Sequence, residues 1–115
     1  RILANKGMLL IAVPNVSAPE RYFYKNKWAP YDAPRHLYHF DIFSLKALCD
    51  KYKYKIIRKY SMYQDLPYNV LLSMKNHSFL EVMKAIFVSC ISLITTAIFG
   101  PNRSSSILVL CKKSN

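Results

Sequence analysis

Two histidines, His36 and His39, lie three residues apart in the segment Pro34-Arg35-His36-Leu37-Tyr38-His39-Phe40. An imidazole accepts protons near neutral pH, so it can act as a base when a hydroxyl or an amine must lose a proton. We interpret His36 as the candidate catalytic residue and His39 as the alternative. Each has a structural role open to it as well: His36 can hold its loop by a hydrogen bond, and His39 can cap the helix that follows.

The same two histidines could bind a metal together with Asp32 or Asp41. Structural and catalytic metal sites need at least three ligands at suitable spacing, and no third residue here has spacing that supports one. We therefore expect no metal site in this chain.

Two polar residues near these histidines are candidates for substrate binding. Arg35 presents a planar set of donors that fits a carboxylate or a phosphate, and it can equally pair with Asp32 or Asp41. Asn15 follows Pro14 and can point its amide into a cleft, although turn chemistry alone would also select an asparagine there. The sequence leaves both pairs of alternatives open.

Three aromatic residues, Trp28, Tyr31 and Tyr38, are the remaining candidates for substrate binding. Aromatic rings with polar tips can form a wall around a flat substrate. The same rings can instead supply a core for a loop that has few aliphatic residues. We expect a mixture, with Trp28 mostly in the core.

The composition is that of one folded domain or part of one. The chain has 115 residues, 52% of them apolar, and 17 Lys and Arg against 6 Asp and Glu give a net charge of +11. This apolar content excludes a disordered basic tail. The three cysteines, Cys49, Cys90 and Cys111, are odd in number and form no CxxC pair, which is typical of reduced cysteines in a cytoplasmic protein.

The hydrophobic pattern predicts the elements that position these residues. Met8–Val13 is an apolar run of the kind found in buried strands, and a proline- and aromatic-rich lid without regular periodicity follows it over 16–40. Ligands in open α/β sheets lie beyond the carboxyl ends of the strands, where this lid begins. The predicted order is a helix end and strand over 1–15, the lid over 16–40, a helix capped by Asp41 and a strand at Tyr54–Tyr60 within 41–60, an apolar helix over 79–99, and a strand over 106–113.

Several of these segments together resemble a known family. They are Gly7-Met8-Leu9-Leu10-Ile11-Ala12-Val13-Pro14-Asn15, then Trp28, then Asp32-Ala33-Pro34-Arg35-His36-Leu37-Tyr38-His39-Phe40, then Ser44-Leu45. This pattern resembles the C-terminal half of class I S-adenosylmethionine-dependent methyltransferases. It is most similar to the small-molecule group that has a Trp and a Pro-Arg-His-Leu-x-x-Phe box.

The resemblance implies an α/β fold, the C-terminal half of a Rossmann-like methyltransferase sheet with a long lid and two helices. Its strands would be strands 5, 6 and 7 of the family, in the spatial order 5-7-6, with strand 7 central and antiparallel. Lys53-Tyr54 stands where the family commonly has Gly-Phe. If the backbone is the same, Lys53 must adopt the left-handed conformation that glycine takes more easily.

The resemblance also implies a function. The complete enzyme would move a methyl group from S-adenosylmethionine to a small molecule, and this chain would be its substrate-side half. The family holds its cofactor in a glycine-rich turn, and the only glycines here are Gly7 and Gly100. We therefore expect the cofactor-binding half of the domain to precede Arg1, and we expect no binding of S-adenosylmethionine by this chain alone.

A rival interpretation is a non-catalytic basic module that binds anionic lipid or nucleic acid. It rests on a basic cluster of five residues, Lys51, Lys53, Lys55, Arg58 and Lys59. Interleaved tyrosines could stack on bases, but no nucleic-acid module has this order of elements. A solvated face is the default interpretation, with an anionic membrane surface as the better functional alternative.

The segment Phe79–Phe99 bears on the location of the protein. Its uncharged part, 85–99, is 15 residues long. A membrane-spanning helix needs about 20 apolar residues, so we do not expect this one to span. A helix that is apolar nearly all round must be covered by protein, by a partner or by a lipid interface. The expected location is cytoplasmic, with peripheral membrane association left open.

Overall fold

The computed structural model describes residues 3–4 and 7–114. In chain order, the elements are β1 (Met8–Pro14), α1 (Pro19–Tyr24), α2 (Ile42–Lys51), β2 (Tyr54–Met62), α3 (Asp65–Ser73), α4 (Phe79–Phe99) and β3 (Ser106–Lys113). Short 3-10 turns lie at Lys25–Lys27, Ala29–Tyr31 and Gly100–Asn102. The helix end predicted near the start of the chain falls on residues 1–6, which lie mostly outside the described residues.

The three strands form one sheet in the order β1-β3-β2, and β3 runs antiparallel to both neighbours. Leu110 of β3 lies opposite Leu10 of β1 and opposite Arg58 of β2. The predicted strand order, with the last strand in the centre, is therefore confirmed. The chain is an α/β protein with a three-stranded antiparallel sheet.

One face of the sheet is covered by α2. Ile107, Val109 and Cys111 of β3 are fully buried and pack against Leu45 and Cys49 of that helix. Side chains alternate along a strand, so the neighbouring positions point to the opposite face. On that opposite face, in the described part of the chain, the apolar side chains of β1 remain largely exposed.

The start of α2 is built as the sequence predicts. The carboxylate of Asp41 accepts a hydrogen bond from the backbone N–H of Ser44 at 2.7 Å, and the Ser44 hydroxyl accepts one from the Asp41 N–H at 3.0 Å. This reciprocal pair is a capping box that satisfies two donors at the helix start. The suggestion that His39 caps this helix is wrong, because Asp41 fills that position.

A second core joins the lid to the last two helices. Trp28 of the lid packs with Leu66 and Val70 of α3 and with Val88 of α4. The backbone N–H of Ala29 adds a hydrogen bond of 2.8 Å to the Ser73 hydroxyl. This core fixes the lid against the rest of the protein.

The expectation of two helices is wrong, because residues 7–114 alone form four. The lid contains α1, whose six residues are too few to give a helical period and which starts with Pro19, a good first helical residue. The segment between β2 and α4, for which the sequence predicts no element, contains α3, which has Pro67 in its first turn, where the missing N–H costs no hydrogen bond. Both helices are stabilised by packing against α4. Their own sequences contain no strong helical pattern that would predict them.

Helix α4 has the predicted bounds. Its buried residues are Ala85, Val88, Ser92 and Thr96, and most of its large apolar side chains are exposed. By length and composition, the segment Phe79–Asn102 could cross a membrane.

Candidate functional site

A cleft of about 230 Å³ lies at the carboxyl end of β1, and we name it the lid cleft. Its walls come from the end of β1, the lid and α3. Pro14 lines the cleft from β1, Asp32, Arg35 and His36 line it from the lid, and Asp65 and Tyr68 line it from α3. This is the edge of the sheet where the sequence predicts a ligand site.

Of the predicted site residues, His36 and Arg35 line the lid cleft. The backbone N–H of His36 donates to the carbonyl of Asp32 at 2.9 Å, and the Arg35 guanidinium lies 3.4 Å from the Asp32 carboxylate. The Arg35 side chain is 70% exposed, so this ion pair contributes little stability and leaves donors free. The half-buried His36 is held by its backbone, which leaves its ring without a structural task among the described contacts.

His39, the alternative base, is used to order the lid. Its Nε2 donates to the carbonyl oxygen of Pro30 at 3.0 Å, and its ring stands edge-on to Tyr31 with centroids 4.9 Å apart. His39 is not among the residues that line the lid cleft. The geometry therefore favours His36 over His39 as the residue that meets a ligand.

The aromatic candidates separate into core and surface. Trp28 is 1% exposed and contacts Tyr31 edge-on at 5.0 Å, while the Tyr31 hydroxyl accepts a hydrogen bond from Arg21. Tyr38 is 79% exposed. None of these three residues lines the lid cleft.

Asn15 does not point into the cleft, which corrects the substrate-binding interpretation of this residue. It is fully buried, and its amide nitrogen donates to the carbonyls of Ser104 at 2.8 Å and Asn102 at 3.2 Å. Its side-chain oxygen accepts from the backbone N–H of Ser17 at 3.0 Å. Asn15 therefore joins the end of β1 to the segment before β3, which is the turn role that its position also suggested.

Helix α3 supplies a wall of the cleft that the sequence analysis missed. Asp65, Tyr68 and Asn69 line it, and the Asn69 amide donates to the Ser105 hydroxyl at 2.8 Å. An available signal was the apolar spacing of Leu66 and Val70, which places two core residues on one helical face. Asp65 adds a carboxylate to a cleft that already contains a histidine and an arginine.

The basic cluster lies on and beside β2 and extends onto β3. Lys55 lies opposite Lys112, and Tyr54 lies opposite Lys113. Lys53 and Lys59 also border a shallow depression next to these residues. Its lysines are exposed, and this charged surface is separate from the lid cleft.

Within residues 3–4 and 7–114, the structure brings together no group of three or more His, Cys, Asp or Glu residues that could hold a metal. Comparisons with protein-family models, with curated proteins and with solved structures find no significant match to this chain.

Proposed function

We propose that this chain is the substrate-side half of an S-adenosylmethionine-dependent methyltransferase that acts on a small molecule. The observation that carries the proposal is the lid cleft, where His36 and Arg35 meet the carboxyl end of β1. The sheet order, with an antiparallel strand in the centre, agrees with the order that the resemblance implies.

In this proposal His36 removes the proton from a hydroxyl or an amine of the methyl acceptor. A half-buried imidazole beside a cleft can exchange that proton with water afterwards. Arg35 orients an anionic group of the acceptor through its free donors, and Asp32 limits the directions that the guanidinium can take.

The residues of this chain do not fit the cofactor. Gly7 precedes β1 and Gly100 follows α4, so the two glycines are far apart and form no glycine-rich turn. The proposal therefore assigns the cofactor to an N-terminal half of the same domain. This half would pair with the free edge of β1 and cover the exposed face of that strand.

A test of the assignment is the His36→Ala variant in the complete enzyme. Loss of a positioned base typically lowers turnover by about 10²- to 10⁴-fold, and we expect a decrease in that range with unchanged affinity for S-adenosylmethionine. Leu37→Ala is the matched control, because Leu37 is exposed and is not among the residues that line the cleft. Full activity of His36→Ala would contradict the role of this residue.

A second test uses the 115-residue chain alone. Isothermal titration calorimetry with S-adenosylmethionine should give no heat of binding, because the chain has no turn for the cofactor. Micromolar binding would contradict the half-domain assignment.

The rival function, a basic module for nucleic acid or anionic lipid, is favoured by the extension of the basic cluster onto Lys112 and Lys113. Such binding would weaken steeply with added salt and would not change in His36→Ala. Salt-dependent retention on nucleic acid together with an inactive complete protein would favour this rival.

A further inference from the structure

Helix α4 presents to the outside a broad surface made only of apolar side chains. We call this surface the outward arc, and it covers about 160° of the helix circumference at 3.6 residues per turn. Its members are all exposed: Phe79, Leu80, Val82, Met83, Ile86, Phe87, Cys90, Leu93, Ile94, Ala97 and Ile98.

The polar residues of α4 all lie on the other half of the helix. This half faces the protein and carries Glu81, Lys84, Ser89, Ser92, Thr95 and Thr96. Two of its hydroxyls are buried in hydrogen bonds, from Ser92 to Glu20 at 2.8 Å and from Thr96 to the carbonyl of Arg103 at 3.3 Å. A helix on the surface of a protein in water has the reverse arrangement, with its apolar side inward. The surroundings of the outward arc must therefore be apolar.

We propose that α4 lies in the plane of an anionic membrane surface, with the outward arc immersed at the boundary between headgroups and acyl chains. This inference goes beyond the proposed methyl transfer and does not depend on it. Helices that bind in this way bury their apolar face by about 5–10 Å. At about 1.5 Å per residue, the 21 residues of α4 would lie along about 31 Å of the surface.

The packing of α4 favours the in-plane orientation over a membrane-spanning one. The buried residues Ala85 and Val88 belong to the core that contains Trp28, and Ser92 contacts the fully buried Glu20. These contacts lie in the middle of the helix, which would be at the centre of the bilayer if the helix spanned it. Spanning would then draw the lid and its ionisable groups into hydrocarbon, at a high free-energy cost.

The breadth of the outward arc favours lipid over a protein partner. A seam between two helices uses a narrow stripe of two positions in seven, so a second helix would leave the flanks of this arc in water. Protein interfaces also contain several hydrogen bonds, whereas the arc contains no charged or hydroxyl-bearing side chain. A lipid surface can cover the whole arc without a matching partner group.

The neighbours of α4 widen the apolar surface. Phe23 of α1 packs edge-on against Phe87, with ring centroids 6.1 Å apart. Leu71 of α3 lines an apolar groove with Ile86 and Leu93. The apolar surface is therefore continuous over parts of three helices.

Exposed basic residues flank α1 and α4 in the sequence. Lys75 precedes α4, Arg103 follows it, and Lys25 and Lys27 follow α1 directly; all four are exposed. The net charge of the chain is +11. Lys and Arg side chains near an anionic leaflet are attracted to its surface charge, so the charges select anionic over neutral lipid.

Cys90 is a natural probe for the proposal, because it lies near the middle of the outward arc and is exposed, whereas Cys49 and Cys111 are buried. The experiment measures how fast a water-soluble maleimide reacts with Cys90, with and without vesicles of phosphatidylcholine and phosphatidylglycerol. We expect the vesicles to slow the reaction by at least about tenfold, and pure phosphatidylcholine to slow it less. An equal rate with and without anionic vesicles would overturn the proposal, as would protection by a second copy of the chain without vesicles.

A pair of charge-matched variants tests the surface itself by vesicle co-sedimentation. Ile94→Glu places a carboxylate in the outward arc, whereas Leu37→Glu adds the same charge at an exposed apolar site in the lid. We expect Ile94→Glu to bind at least about tenfold more weakly and Leu37→Glu to bind about like the wild type, within the effect of one charge. Equal loss in both variants would overturn the proposal. If circular dichroism shows that Ile94→Glu is unfolded, Met83→Glu replaces it. Neither assay contains a cofactor or a methyl acceptor, so both test lipid binding independently of methyl transfer.

Discussion

At the scale of single residues, the three cysteines have very different surroundings. The sulfur atoms of Cys49 and Cys111 lie 3.7 Å apart between α2 and the sheet, whereas Cys90 is exposed on α4. Burial, and then the hydrogen bond with Cys49, raises the pKa of the Cys111 thiol to about 12. Because the thiolate is the reactive form, Cys111 should be inert in the folded protein.

We therefore predict that iodoacetamide modifies one cysteine of the native chain and three cysteines of the denatured chain, as counted by mass spectrometry. The native site should be Cys90, because it alone of the three is exposed. Cys90→Ser should then remain unmodified under native conditions. Modification of two or more sites in the folded wild type would show that the core between α2 and the sheet opens readily.

The residue types and their spacing predicted only part of the lining of the lid cleft. His36 and Arg35 do line this cleft, but the Asn15 side chain makes hydrogen bonds with the backbone at the end of β1 instead. An asparagine after a strand has the same sequence signature in both roles. The difference arises from Ser104, which lies 89 residues away in sequence and cannot be paired with Asn15 from the sequence alone.

At the scale of elements, the start of α2 contains a carboxylate, that of Asp41, whose pKa is lower in the folded state than in the unfolded chain. Hydrogen bonds from Ser44, first from its hydroxyl and then from its backbone N–H, hold the pKa of Asp41 below its usual value. A lowered pKa in the folded state means that the cap adds stability above the pKa of the unfolded chain. That contribution is lost as the pH falls through the folded-state pKa.

For Asp41→Ala we predict a loss of about 1 kcal/mol in the free energy of unfolding at neutral pH. The difference from the wild type should begin to shrink below about pH 4, near the pKa of the unfolded chain, and should be smallest once the pH has fallen through the lower folded-state pKa. Asp41→Asn keeps an uncharged cap and should show little pH dependence of its own at this position. Urea denaturation across this pH range measures all three, and a constant difference for Asp41→Ala would contradict the role of the charge.

The contact between α1 and α4 contains a buried carboxylate with an incomplete set of partners. Glu20 is fully buried, its Oε2 accepts from the Ser92 hydroxyl at 2.8 Å, and its Oε1 has no partner among the described residues. A buried charge with a single neutral donor is costly, although glutamine can keep the same hydrogen bond. This contact is a weak point of the second core.

We predict that Glu20→Gln raises the free energy of unfolding at neutral pH by about 1 kcal/mol. Ser92→Ala should lower it by about 1–3 kcal/mol, because the carboxylate then loses its hydrogen-bond donor. Ser89→Ala, on the same half of α4, is the control and should change it by less than about 0.5 kcal/mol. Chemical denaturation that finds Glu20→Gln less stable than the wild type would show that the negative charge is favoured where it lies.

The elements with a strong local signal were predictable, and those held by distant contacts were not. Strands β1 and β3 are continuous apolar runs, and α4 is bounded by Ser78 and Gly100, so their positions follow from the sequence. Lys53 has a φ of +59°. This left-handed geometry is the one expected at a position where the similar family commonly has glycine, because the chain turns sharply there between α2 and β2. Helices α1 and α3 depend on α4 for their packing, and short local patterns do not contain that information.

At the scale of the whole molecule, the protein has two apolar surfaces that the described residues do not cover. One is the outward arc of α4, and the other is the face of β1 that carries Met8 and Leu10, each 59% exposed. Strand β1 pairs only with β3 over the described residues, so its outer edge presents unpaired backbone groups next to that apolar face. Under the proposed function the N-terminal half of the domain covers this second surface.

We predict that the isolated chain associates through β1 in solution at tens of micromolar, because an open strand edge beside an apolar face pairs readily with a second copy. Met8→Lys combined with Leu10→Lys should keep the chain monomeric in sedimentation experiments, since charged side chains on an edge strand block such pairing. The control combines Leu37→Lys with Tyr52→Lys, two exposed sites outside the sheet, and adds the same charge. If the control is equally monomeric, net repulsion rather than the edge of β1 governs association. If the β1 variant alone is monomeric and still binds anionic vesicles, the two surfaces act separately, one toward protein and one toward lipid.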